Sequence, residues 1–124
     1  MNAIRILVAE DDAVVATLLT AVLEDMGHTV CAVEATQASA VAAATRTRPD
    51  LMIVDEKLGS GSGVAAVAEI LQSGLVPHIF ASGSELRGQS INPHAVVLQK
   101  PYSAGDLTSA IARALAATAN PAAG

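Results

Sequence analysis

The 124-residue sequence carries seven Lys and Arg against twelve Asp and Glu, a formal charge of −5, with 52% hydrophobic but only 2% aromatic residues. A chain this apolar is not intrinsically disordered, and its length suits one domain with a single core. With no basic run and almost no aromatic side chains on which bases could stack, it is not built to bind nucleic acid.

Taken in chain order, residues 4–9 (IRILVA) read as a buried strand closed by Glu10, Asp11 and Asp12. Residues 12–26 place Val15, Leu18, Leu19, Val22 and Leu23 at helical spacing, with Asp12 as N-cap and Gly27 as stop. Residues 29–34 (TVCAVE) form a second strand; Thr36 then caps an Ala-rich helix reaching about residue 47, before Pro49. Residues 51–54 (LMIV) are a third strand, followed by a glycine-rich loop over 58–63 and a helix from 64 to 73 that Gly74 ends. Residues 78–81 and 95–98 supply two more strands, and a last helix spans roughly 103–118. Residues 82–94 hold Gly83, Gly88 and Pro93 and only Leu86 and Ile91 as large apolar side chains, so at most one or two helical turns are expected there. Strands apolar on both faces, alternating with helices, predict a doubly wound α/β fold: a five-stranded parallel sheet covered on each side. Residues 1–118 are read as one domain and 119–124 as a flexible tail.

No apolar stretch approaches the ~20 residues of a membrane span, and no secretory signal is visible, so a soluble, cytoplasmic protein is expected. Cys31 reads as a buried, inert thiol, and His28, His78 and His94 as structural residues. Tyr102 is expected to pack at the start of the last helix. The run Gly59, Gly61, Gly63 matches neither GxxxxGK[ST] nor GxGxxG and reads as turn and helix-entry residues.

The polar residues fall where strands end. Glu10, Asp11 and Asp12 follow the first strand, Asp55 the third, Ser82 the fourth and Lys100 the fifth. Open α/β sheets bind ligands at that edge. Carboxylates converging there make an oxygen-only site suited to Mg²⁺, and one of them could attack phosphorus while a hydroxyl and an ammonium hold the phosphoryl oxygens.

The segments "ILVAEDD" (6–12), "DLMIVDEKL" (50–58), "FASG" (80–83) and "LQKP" (98–101) together resemble the receiver domains of bacterial two-component response regulators. The strand order 2-1-3-4-5 is carried over from sheets of this kind rather than read from residues. The resemblance implies that Glu10 and Asp11 are the acidic pair, Asp55 the phosphoacceptor and the Lys57 backbone carbonyl a further Mg²⁺ ligand. It makes Ser82 the switch hydroxyl, Lys100 the phosphoryl ion-pair partner and the bond before Pro101 cis. Asp12 could instead pair with Asp11, but "ILVAED" aligns Glu10 and Asp11 with the family's acids. The implied function is a stand-alone phosphoacceptor rather than an enzyme. A histidine kinase or phosphotransfer protein would donate the phosphoryl group, which is then lost slowly to water at a rate tuned through Lys57 and Ser84. No attached DNA-binding output domain is expected, so a downstream protein, not nucleic acid or membrane, is expected to receive the signal.

Three features depart from the family. Val97 stands where many receivers carry an aromatic residue, the stretch from Ser82 to Lys100 is short, and Gly59-Ser60-Gly61 replaces a usual Pro. The short loop after "FASG" is similar to stand-alone receivers with a Phe-Ala-Thr-Gly motif in alphaproteobacterial stress signalling, Ser82 standing for Thr. The alternative is a receiver-like interaction module that no longer phosphorylates. A phosphatase of the haloacid-dehalogenase type would need an acid where Lys57 stands.

Overall fold

The computed structural model describes residues 3–83 and 92–119. Five parallel strands, β1 (Arg5–Ala9), β2 (Thr29–Glu34), β3 (Leu51–Asp55), β4 (His78–Ser82) and β5 (Val96–Gln99), form one sheet in the order β2-β1-β3-β4-β5. Among the described residues four helices cover it: α1 (Ala13–Asp25), α2 (Gln37–Thr47), α3 (Gly63–Ile70) and α4 (Ala104–Ala119). Among the described residues no helix is long and apolar enough to cross a membrane. Residues 84–91, which hold Ser84 and most of the segment where a short helix is expected, and the tail beyond residue 119 fall outside the described residues.

Side chains alternate across a strand, and both faces of this sheet are dry. Ile6, Val8, Leu51 and Ile53 face a cluster with Leu19 and Leu23 of α1 and Leu107 and Ile111 of α4. Leu7, Ala9, Met52 and Val54 face the other cluster, with Ala40, Ala43 and Ala44 of α2 and Ala66, Val67 and Ile70 of α3. Alanines let α2 sit close to the sheet, and on that face Phe80, at 1% exposure, packs with the buried His78 ring edge-on to it.

The helix starts are fixed by side-chain caps. Asp12 Oδ1 accepts from the amides of Val14 and Val15 at 2.9 and 3.1 Å, a cap whose loss costs about 1 kcal/mol. Thr36 and Ser39 form a reciprocal capping box, and Ser62 accepts from the Ala65 amide. Ser103 and Asp106 cap each other's amides at the start of α4.

Four expectations need correction. The apolar stripe of α1 is only half buried: Leu19 and Leu23 face the core, but Leu18 and Val22 are 62% and 36% exposed, and Ala16 rather than Leu18 is buried. Cys31 is half-buried, since β2 is an edge strand. Residues 58–63 are not an open loop; Lys57–Leu58 and Gly61–Ser62 pair as a short antiparallel ladder, turning at Gly59 with φ +60°. The third helix tightens to a 3₁₀ turn at Leu71–Ser73 before Gly74.

The histidines are engaged structurally. His28 Nδ1 accepts from the Ile4 amide, and His94 Nδ1 lies 3.0 Å from the Ala117 carbonyl. His78 is fully buried, with Nδ1 2.7 Å from the Val76 carbonyl, and burial lowers its pKa.

Candidate functional site

The order of strands reverses between β2-β1 and β3-β4-β5, which opens a crevice at the carboxyl ends of β1 and β3. Glu10 and Asp11 leave β1 on one side of it, and Asp55 closes β3 on the other. One carboxyl oxygen from each of these residues lies within 4.8 Å of the other two. Lys100, just after β5, places Nζ 3.0 Å from Asp55 Oδ2 and 3.7 Å from Glu10 Oε1. The bond from Lys100 to Pro101 is cis, and the Lys100 amide donates to the Ser82 carbonyl at 2.7 Å.

The acids differ in setting. Glu10 is 6% exposed, with Oε2 accepting from the Asp12 amide. Burial pushes the Glu10 carboxyl up to about 7, with the neighbouring Asp55 adding to the rise. Asp11 is exposed, and the Gly59 amide, donating to its Oδ2 at 2.8 Å, holds its carboxyl below the ordinary value. Burial works against the charge on Lys100, but the bond to Asp55 and the charges of Asp55 and Glu10 outweigh it and raise its pKa. Tyr102 is half-buried against the α1–α4 cluster, and burial raises its phenol pKa.

Glu10, Asp11, Asp55 and Lys100 thus come together as the sequence suggests. Lys57, whose carbonyl is the fourth anticipated metal ligand, is exposed at the start of the short ladder, two residues past Asp55. Ser82 is the last residue of β4 and fully buried, and its Oγ donates to Glu56 Oε1 at 2.8 Å. Val97 sits half-buried in β5 opposite Phe80, with no ring at that position.

Two contributors escape the sequence reading. Gly59, taken as a turn residue, also reaches back to Asp11. Glu56, at 8% exposure, is the partner of Ser82. The signal for Glu56 was an acid directly after Asp55: alternation turns it to the opposite face, beside the residue after Ala81, which pairs with Asp55.

Chemically, three carboxyl groups in contact reach suit a hard divalent cation such as Mg²⁺, which takes oxygen ligands and retains several waters. The raised Glu10 pKa agrees, because a carboxyl crowded by burial and another acid calls for a proton or a cation.

A family model described as the response regulator receiver domain matches residues 6–112. The phyllosphere-induced regulator PhyR of Methylorubrum extorquens is 35% identical over 118 residues, covering 91% of this chain and 44% of that protein. The crystal structure of the anti-anti-sigma factor PhyR from Bartonella quintana gives a TM-score of 0.86 at 27% identity, over 98% of this chain and 51% of that one. The solution structure of the PhyR response regulator REC domain from Erythrobacter litoralis gives 0.78 at 28% identity, over 93% and 92%. The chain spans about half the length of the curated relatives it matches.

Proposed function

The chain belongs to the response regulator receiver family, and we propose that it is a phosphoacceptor whose reactive group is Asp55. The observation that carries this reading is the placement of the Asp55 carboxyl, 3.0 Å from the Lys100 ammonium and within 4.8 Å of Glu10 and Asp11. An Asp55 oxygen attacks the phosphorus of a phosphohistidine on a histidine kinase or phosphotransfer protein. A P–O bond forms, the P–N bond breaks, and the imidazole leaves with a proton from solvent. Lys100 stays beside the phosphoryl oxygens where negative charge develops, and Ser82 turns its hydroxyl to one of them once Asp55 carries the phosphoryl group. Glu10, Asp11, Asp55 and the Lys57 carbonyl would hold Mg²⁺, which when bound offsets the charge of the carboxylates and of the transferring group.

The signal would pass to a protein partner. A solved relative is described as an anti-anti-sigma factor, which makes an anti-sigma factor or another regulator of that pathway the first partner to test. The chain is read as cytoplasmic, as a phosphohistidine donor requires. Incubation with acetyl phosphate or phosphoramidate and Mg²⁺ is expected to add one phosphoryl group by mass, and Asp55→Asn is expected to add none. Unmodified wild-type protein, or a modified Asp55→Asn variant, refutes the assignment.

A further inference from the structure

We propose that Glu56 is a positioning residue that holds Ser82 away from the phosphoryl site until Asp55 is phosphorylated. The inference rests on the phosphoacceptor reading above. The register pairs Asp55 with Ala81, and the Glu56 amide donates to the Ala81 carbonyl at 3.1 Å. One position further on, Glu56 and Ser82 therefore stand side by side at the ends of β3 and β4. Ser82 is fully buried and Glu56 is 8% exposed. The Ser82 hydroxyl donates to Glu56 Oε1 at 2.8 Å.

A serine hydroxyl has one proton to donate. In this structure that proton goes to Glu56, not to the Asp55 edge, where Lys100 already supplies the donor. A phosphoryl group on Asp55 must therefore compete with Glu56 for the same proton. The backbone of Glu56 does not yield easily. Its amide is bonded to Ala81, and its carbonyl accepts from the Gly63 amide at 2.8 Å at the start of α3. The side-chain bond is the part that can exchange. Breaking it transfers Ser82 from one acceptor to another, and the difference between the two acceptors sets how far the protein switches on phosphorylation. Val97 offers no ring to stabilise either state, so this exchange carries more of the bias than in a receiver with a switch aromatic.

The test is a double-mutant cycle read by the affinity for beryllofluoride, a tetrahedral phosphoryl analogue, measured calorimetrically with saturating Mg²⁺. Glu56→Ala is expected to tighten binding by about tenfold, the effect of removing one competing hydrogen bond to a charged group. In a Ser82→Ala background the same substitution is expected to change affinity by less than about twofold, because no hydroxyl proton remains to compete for. A general electrostatic or structural effect of Glu56 would persist in that background. Equal effects in both backgrounds, or no tightening in the first, overturn the role of Glu56 while leaving the phosphoacceptor reading intact. Wild-type protein that binds no beryllofluoride overturns both. Should Glu56→Ala fail to fold, Glu56→Gln enters the same cycle. Its amide oxygen still accepts a weaker bond, so about threefold tightening is expected with Ser82 present, and none without it.

Discussion

Glu10 makes the cleft sensitive to pH within the physiological range. Its carboxyl is pushed up to about 7 by burial, with the Asp55 carboxyl adding to the rise against the opposing Asp12 amide and Lys100. A divalent cation needs this oxygen ionised, so proton and metal compete for it. With one site of pKa about 7, the apparent Mg²⁺ affinity scales with the ionised fraction, which falls about tenfold from pH 8 to pH 6. Calorimetric titration at pH 6, 7 and 8 is expected to show that loss. It should also show close to one proton released per ion at pH 6 and almost none at pH 8. Glu10→Gln is expected to bind Mg²⁺ more weakly at pH 8 and to lose the pH dependence. The metal-free protein provides a sign check. A carboxyl whose folded pKa lies above its ordinary 4.5 favours folding most below that value. Its contribution is lost as pH rises from about 4.5 through about 7, so thermal stability should fall across that window and Mg²⁺ should restore it. Affinity constant within twofold from pH 6 to 8, or a pH dependence that survives Glu10→Gln, refutes the assignment.

Two further predictions separate sterics from charge. A Cβ on Gly63 would overlap the Asp55 carbonyl oxygen and stand 2.8 Å from Val54 Cγ1, whereas one on Gly59 meets nothing within 4 Å. Gly63→Ala is therefore expected to lose about 3 kcal/mol in urea denaturation and to slow phosphoryl acceptance, while Gly59→Ala, strained only by its positive φ, loses about 1 kcal/mol; equal losses would refute the packing account. Lys100→Met removes the ammonium bonded to Asp55 and near Glu10. It is expected to tighten Mg²⁺ binding roughly fivefold at low salt by removing a competing positive charge, and to slow phosphorylation by acetyl phosphate; unchanged Mg²⁺ affinity would count against the ion's sharing that cleft.

The sheet was legible because its strands are short runs of β-branched and aliphatic residues between capped helices, and caps such as Asp12 and Thr36 sit directly in the sequence. The candidate site was legible for a related reason. In a parallel sheet every strand delivers the residue after it to the same edge, so Glu10, Asp55, Ser82 and Lys100 can be grouped without knowing any distance. What escaped depends on neighbours rather than on order along the chain. Helical spacing alone could not tell that the close approach of α1 to the sheet selects Ala16 and leaves Leu18 outside. The exposure of Cys31 depends on which strand lies at the edge, and the partnership of Glu56 with Ser82 on the register between β3 and β4. The ladder over residues 57–62 was read as loop because glycine and serine carry little strand signal, although its turn brings the Gly59 amide to Asp11.

The two acids of the first strand end are tuned in opposite directions. Asp11 is exposed and held low by the Gly59 amide, so it stays ionised through the whole working range. Glu10 is buried and its carboxyl is pushed up to about 7, so below that pH it keeps a proton that an arriving positive charge displaces. With Glu10 protonated, Asp11 and Asp55 face the single ammonium of Lys100, and the resting cleft carries a formal charge of about −1 rather than −2. Less repulsion then acts on the end of β3, which the Glu56 and Gly63 backbone bonds tie to β4 and α3. The same bonds define how a change at Asp55 can leave the site. The Lys100 amide donates to the Ser82 carbonyl, so β4 and β5 are tied together at the residue whose side chain meets Glu56. Valine at position 97 places no ring beside these bonded strand ends.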